Sequence, residues 1–164
     1  MGVTVASQIE RLARFIPGVA GYQDRENARA TDKELRMRLV QELRRLVQVL
    51  DDHKARLAEA RDFSALPRLD RLAGRLERLS RTVEFASRGY SGLFDLHPVD
   101  AEALAQLYAF DLGLFEALHV LRARVEAVRA ADPAGLVAAA LHMGEALDDL
   151  EQLWDQRQRT VDAG

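Results

Sequence analysis

The sequence predicts an all-α protein, an antiparallel up-down-up-down four-helix bundle with a short additional N-terminal helix. Four long segments carry apolar residues at alternating spacings of three and four, which is the pattern of a helix that buries one seam. The connections between these segments are short, about two to eleven residues, which favours antiparallel neighbours. No useful stretch alternates with a period of two, so we expect no sheet.

The first predicted helix covers residues 4–16 and ends at Pro17 and Gly18, because neither residue continues a helix. Its apolar side consists of Val5, Ile9, Leu12 and Ile16. An apolar turn, IPGVAGY, follows. We therefore expect a single domain over residues 1–164, in which residues 1–22 are an appendage to the bundle.

The second helix is predicted from about Asp24 to Asp62, a stretch without Pro or Gly. Thr31 and Glu34 form a capping-box pattern, which also allows a later start or a break at that point. The predicted seam of this helix consists of Leu39, Leu43, Leu46, Leu50, His53, Leu57 and Ala60.

The third helix is expected to have Ser64 as its N-cap, Pro67 in its first turn and Gly89 just after its end. Its seam consists of Leu69, Leu72, Leu76, Leu79, Val83 and Ala86. The loop over residues 90–100 is unusually apolar, so we expect Tyr90, Leu93 and Phe94 to fold back over one end of the bundle.

The fourth helix is predicted to begin after a cap at Asp100 and to end near Ala131, with Asp132 and Pro133 opening the fifth. The fourth seam consists of Leu104, Leu107, Asp111, Leu114, Leu118, Leu121, Val125 and Val128. The fifth consists of Leu136, Ala140, Met143, Leu147, Leu150, Trp154, Arg157 and Val161.

Composition excludes several classes of function. The chain has no Cys, which excludes disulfides, thiolate nucleophiles and thiolate metal sites and favours the cytoplasm. Charged residues interrupt the N-terminal apolar residues, and no apolar run reaches the length of a membrane span, so neither secretion nor a membrane is expected. No glycine-rich phosphate loop, nucleophile elbow or triad context supports an enzyme.

Two pairs of residues have the spacing found in metal-binding bundles, namely Glu116 with His119 and His142 with Glu145. Ligands of such sites point into the core. Helical geometry places all four residues off the predicted seams, so they are weak metal candidates. We expect no buried two-metal centre and no cofactor.

Two polar residues, His53 and Asp111, occupy predicted seam positions. Counting residues back from the turns places His53 level with Gly74 of the third helix and Asp111 level with Arg78. The two residues would then lie only a few layers apart. A buried carboxylate is costly unless it is paired, so we expect Asp111 to face a cation or polar donor in a layer that sets the register of the helices. The alternative is a ligand or metal pocket around His53 and Asp111.

The charge of the chain is uneven. Residues 54–90 contain nine basic and five acidic residues, whereas residues 91–164 contain five basic and thirteen acidic ones. Acidic residues border the basic stripe of the third helix, and no aromatic residues are interleaved with it, so nucleic acid is not the expected partner. The stripe consists of Arg68, Arg71, Arg75, Arg78 and Arg81.

The segments IPGVAGYQDRENARATDKELR, YSGLFD and LYAFDLGL are similar to a family of small helical proteins of bacteria and archaea. That family shares an apolar N-terminal helix, an IPG-x-x-GY turn, a charged long helix and an aromatic-Phe-Asp segment. Val19 stands where the family has an aromatic residue. The resemblance implies no activity, cofactor or partner.

These observations lead to an expected function as a non-enzymatic interaction or scaffold protein of the cytoplasm, with a role in stress physiology by analogy alone. The fourth helix is apolar almost all round, which predicts a homodimer with that helix near the interface. The basic third helix of one subunit would then face the acidic fifth helix of the other. The alternative function is a small-ligand or metal-binding bundle, or an enzyme, centred on His53 and Asp111.

Overall fold

The computed structural model describes residues 5–17, 25–86 and 101–163, and in these ranges the chain is all-helical with no strand. The predicted all-α class is therefore confirmed for this part of the chain. The five helices are α1 (Val5–Phe15), α2 (Arg25–Glu59), α3 (Leu66–Phe85), α4 (Ala101–Ala130) and α5 (Leu136–Ala163). None of the described helices is long and apolar enough to cross a membrane.

Two antiparallel helix pairs make up most of the contacts. In the pair of α2 and α3, Lys54 forms an ion pair with Asp70 near the turn, and Arg44 forms one with Glu84 at the far end. In the pair of α4 and α5, the side chain of Leu153 lies beside Gly113. Contacts between residues equally far from each turn are those of antiparallel neighbours.

The two pairs pack side by side, α2 against α4 and α3 against α5. Arg122 of α4 reaches Glu42 of α2 at 2.9 Å, and Gly144 of α5 lies next to Leu72 of α3.

Helix α1 packs against α4, where the Phe15 ring stacks on Phe115 with centroids 5.9 Å apart. Leu12 and Ile16 are buried in the same core. These contacts account for part of the apolar surface of α4. Among the described residues of α4, Val120 is the large apolar side chain that remains exposed, at 47%.

The predicted seams are largely the buried residues of the core. In α3, α4 and α5 every described seam residue from Leu69 to Val83, from Leu107 to Val128 and from Leu136 to Val161 is buried. In α2 the seam is buried from Leu39 to His53, and burial then decreases toward the turn. Alternating spacings of three and four thus identified the core-facing side of each helix.

Helix α2 is continuous from Arg25 to Glu59, so the capping-box pattern at Thr31 does not interrupt it. Its end is closed by hydrogen bonds from Arg61 N to Ala58 O and from Asp62 N to Leu57 O. Arg61 has a φ of 57°, the left-handed conformation that glycine usually supplies at this position.

Two predicted caps differ from the structure. The N-cap of α3 is Ala65, not Ser64, because the Ser64 hydroxyl donates to Asp62 instead of turning to the helix. At α5, the Asp132 carboxylate accepts a hydrogen bond from Gly135 N at 2.8 Å, as a cap does. It closes the turn that precedes Leu136, where the helix itself begins.

Several predictions concern residues or side chains outside the described part of the chain. These are the turn over residues 18–22, the Gly89 stop, the loop over residues 90–100 with its Asp100 cap, and the side chains of Val5 and Leu104.

Candidate functional site

Four charged side chains are buried together where α2, α4 and α5 meet. Asp32 and Arg36 come from α2, Asp111 from α4 and Arg157 from α5, and the exposed fraction of each residue is between 1% and 6%. We call these four residues the buried charge cluster. Charged groups at this depth are costly unless they are paired, so their partners determine what the cluster can do.

Arg157 joins the two carboxylates of the cluster. Its Nε donates to Asp111 Oδ1 at 2.5 Å, and its Nη2 donates to Asp32 Oδ1 at 2.7 Å. The second oxygen of Asp32, Oδ2, accepts from Arg36 Nε at 2.7 Å. The four groups therefore form a chain of alternating charge, and each link is a charge-assisted hydrogen bond.

The cluster also reaches α3. Arg36 Nη1 lies 3.4 Å from the backbone oxygen of Val83 and 3.5 Å from that of Glu84. These carbonyls belong to the last turn of α3, where the helix dipole places partial negative charge. Four helices are thus connected through two guanidinium groups.

Two carboxylates and two guanidinium groups give the buried charge cluster no net formal charge. The guanidinium of Arg157 also lies 5.7 Å from the centroid of the Trp154 ring, which helps to hold it in place. A cation entering this site would compete with Arg157 for Asp32 and Asp111. The paired side chains fix the register of the helices relative to one another. They do not form an open set of metal ligands.

The prediction for Asp111 is confirmed in one respect, because Asp111 is paired with a buried cation, Arg157. The expected closeness of His53 and Asp111 is wrong. Asp111 lies at the level of Asp32 in α2, and His53 follows Asp32 by 21 residues in the same helix. At 1.5 Å per residue this places His53 about 30 Å from Asp111, so the two do not line a common pocket. Counting back from the turns compared Asp111 with α3, whereas α4 packs against α2.

His53 lies near the other end of the core, 8% exposed, and its Nε2 has no hydrogen-bond partner among the described residues. Burial lowers its pKa below the usual 6.5, and the nearby charges of Arg56 and Arg129 lower it further. A neutral imidazole is therefore favoured at this position.

The weak metal candidates lie on the surface. Glu116 forms an ion pair with Arg11 of α1, and both side chains are about half exposed. His119, His142 and Glu145 are exposed as well. Within the described residues, no three His, Asp or Glu side chains come together in a way that could hold a metal ion.

Sequence analysis missed Asp32 and Arg36, although the seam of α2 contains the signal. Continuing the alternation backward from Leu39 by three and then four residues reaches Arg36 and Asp32. The predicted seams of α4 and α5 and this backward extension of the α2 seam carry charges at one end of the core, and their opposite signs indicate pairing. Arg157 was placed on its seam, but its partners could not be identified from one helix alone.

A second buried carboxylate, Glu42, was also missed. It is 4% exposed and forms ion pairs with Arg122 of α4 and with Arg38 and Arg45 of its own helix. Glu42 lies off the predicted seam of α2, which passes through Leu39 and Leu43. It is buried because it lies where α2 faces α4, beside the core rather than in its centre.

Comparison with known proteins adds no assignment, because no family model, curated protein or solved structure matches the chain.

Proposed function

We propose that this protein is a non-enzymatic scaffold of the cytoplasm that acts as a homodimer. In this proposal α2 to α5 form an up-down-up-down four-helix bundle, α1 is its docked appendage, and residues 1–164 fold as one domain. The absence of Cys is in keeping with a cytoplasmic location.

The buried charge cluster is the observation that supports this proposal. Metal or substrate chemistry in a helical bundle uses polar side chains that project into the core. Here the two central carboxylates, Asp32 and Asp111, share a guanidinium from Arg157, and the four charges balance. The interior polar groups then serve the fold, and recognition is left to the outer surface.

The competing function is a metal-binding bundle, and elemental analysis of the purified protein separates the two. We expect iron, manganese and zinc far below one ion per chain. Addition of Mn²⁺ or Zn²⁺ should also leave the thermal midpoint unchanged, because a ligand that does not bind the native state does not stabilise it. Stoichiometric metal that is lost in an Asp111→Asn variant would overturn the proposal.

A further inference from the structure

A small cavity opens on the outer side of the bundle between α2 and α4, beside the end of α1. We call it the α2–α4 cavity. Three large apolar side chains line it, and these are Phe15, Phe115 and Leu118. Its volume is about 60 Å³, which gives room for roughly four water molecules. It therefore suits one functional group or one small side chain, and it is far below the size of a cofactor pocket.

Charged side chains lie beside these apolar ones. Glu42 of α2 is buried, and its carboxylate accepts a hydrogen bond from Arg122 of α4 at 2.9 Å. Arg38 Nη2 lies 3.3 Å from the same carboxylate, and Arg45 Nη1 lies 3.4 Å from it. One carboxylate thus holds three guanidinium groups, so this group of four side chains carries two more positive charges than negative ones.

Other carboxylates do not remove this excess of positive charge. On the exposed side of α4, Glu116 and Glu126 are paired with other arginines. Glu34 of α2, one turn before Arg38, lines a separate depression and forms no ion pair with a described residue. The three arginines around Glu42 have no second ion-pair partner in the described part of the chain. The excess charge is therefore available to a bound anionic group.

The buried carboxylate of Glu42 holds the guanidinium groups in place. A guanidinium has N–H donors on several sides, and the contact with Glu42 uses only part of them. Arg38 and Arg122 come from neighbouring helices and both line the cavity. Their side chains are about half exposed, which leaves donors free toward solvent. Guanidinium groups held in this way are suited to a carboxylate, which can accept two parallel hydrogen bonds.

We propose that the α2–α4 cavity binds an acidic peptide segment of a protein partner. A Glu or Asp of the peptide pairs with Arg38 and Arg122, and an adjacent apolar side chain of the peptide enters the cavity against Phe115 and Leu118. Clusters of arginine are a recurring means of recognising acidic motifs. This inference rests on the proposed scaffold function, for which it names the class of partner, and it does not depend on the homodimer.

The combination of charged and apolar lining favours an acidic peptide over other anions. Inorganic phosphate would use the guanidinium groups but would leave the apolar wall without a partner. Nucleic acid binds through bases that stack on aromatic rings, whereas the rings of Phe15 and Phe115 stack on each other. Its many phosphates would also exceed the small excess of positive charge. A peptide supplies a carboxylate and an apolar side chain together.

The test measures the binding of a short fluorescein-labelled peptide to the full-length protein by fluorescence anisotropy. The probe peptide consists of glutamates with one central leucine, and a second peptide has alanine in place of that leucine. Arg122→Met removes one guanidinium group and leaves Glu42 paired with Arg38 and Arg45, so the carboxylate is not stranded. Arg124→Met is the matched control, because Arg124 is an exposed arginine of α4 that forms no ion pair with a described residue.

We expect Arg122→Met to raise the dissociation constant about tenfold, since it removes one charge-assisted contact. Arg124→Met should change the constant by less than about twofold. The alanine peptide should bind about tenfold more weakly to the wild type, because it loses the apolar contact. Added salt should weaken binding of both peptides, since exposed charges are screened.

Nuclear magnetic resonance locates the bound peptide. The methyl resonances of Leu118 should shift when the leucine peptide is added, because this side chain lines the cavity. The methyl resonances of Leu141 should not shift, since Leu141 lines the groove between α3 and α5.

Four results would overturn the proposal. One is the absence of binding of the leucine peptide up to about 1 mM. Another is equal weakening by Arg122→Met and Arg124→Met, which would mean that net charge alone attracts the peptide. A third is tighter binding of inorganic phosphate or single-stranded DNA at the same arginines. The fourth is release of single chains from a dimer by the peptide, seen by light scattering, which would assign the cavity to a second copy of the chain. The first three results leave the metal and mass tests of the proposed scaffold unaffected, and the fourth supports its homodimer, so the two proposals can fail separately.

Discussion

Removal of Arg157 should destabilise the protein more than removal of any exposed arginine. Arg157 is 1% exposed and donates to both Asp111 and Asp32. Arg157→Met keeps the approximate length of the side chain, but it changes the formal charge of the cluster from zero to minus one. Breaking a buried ion pair by removing one partner costs about 3–5 kcal/mol, and we expect a loss in this range.

Removal of the Asp111 carboxylate should also destabilise the protein, in this case by leaving a buried positive charge unpaired. Asp111→Asn and Asp111→Leu each leave the buried cluster with an excess positive charge, so both should lose several kcal/mol. A carboxylate that served only as a hydrogen-bond acceptor would tolerate Asn much better than Leu. Comparable losses in the two variants would therefore identify the charge itself as the stabilising feature.

The double variant Arg157→Met/Asp111→Leu gives the most specific result. It leaves the hydrogen-bonded pair of Asp32 and Arg36, which is neutral as a whole. The double variant should lose less than the two single variants together, by about 1–3 kcal/mol.

Urea unfolding followed by circular dichroism at 222 nm measures these changes at a fixed protein concentration. Arg129→Met is the matched control, because Arg129 forms an ion pair with Glu126 at an exposed site and should lose no more than about 1 kcal/mol. Strict additivity, or a loss in Arg157→Met as small as in the control, would refute the reasoning.

Three further predictions use the same unfolding assay. Arg61→Gly should stabilise the protein by about 0.5–1 kcal/mol, because glycine adopts the left-handed φ of 57° without strain, whereas Arg61→Ala should give no such gain. Gly74→Ala should also stabilise it, by about 1 kcal/mol, since nothing lies within 4 Å of the added Cβ in the middle of α3; a loss would mean that this face of α3 is covered. His53 has a lowered pKa, so the unfolded chain binds its proton more readily than the folded one. Wild-type stability should therefore decrease relative to His53→Gln as the pH falls from 6.5 toward the lowered pKa, and an unchanged difference would contradict the burial of a neutral imidazole.

The core could be predicted from the sequence because burial follows a simple period. A helix that packs against neighbours on one side repeats its apolar residues every three or four positions. From Leu69 onward, every described seam residue is buried except Ala86, which is partly buried. The period also indicated that Asp111 and Arg157 face inward. What it could not supply was the level of each residue along the neighbouring helices.

The position of a residue along the bundle, relative to residues of the neighbouring helices, depends on turns, caps and helix crossings. The sequence of a single helix does not encode these. Counting from the turns set α4 beside α3, whereas α4 packs beside α2, so Asp111 was placed near His53 instead of near Asp32. Local chemistry also changed the caps, since the Ser64 hydroxyl found a partner in Asp62 and did not cap α3. Pairing across helices is thus the information that required three-dimensional structure.

Native mass spectrometry of the purified full-length protein tests the central claim most directly, because one spectrum reports both assembly and bound ligands. The proposed scaffold predicts a particle of twice the 18.3 kDa chain mass with no added mass from a metal ion or small molecule. A single chain, or a species that carries a stoichiometric ion or ligand and loses it in Asp111→Asn, would contradict the claim.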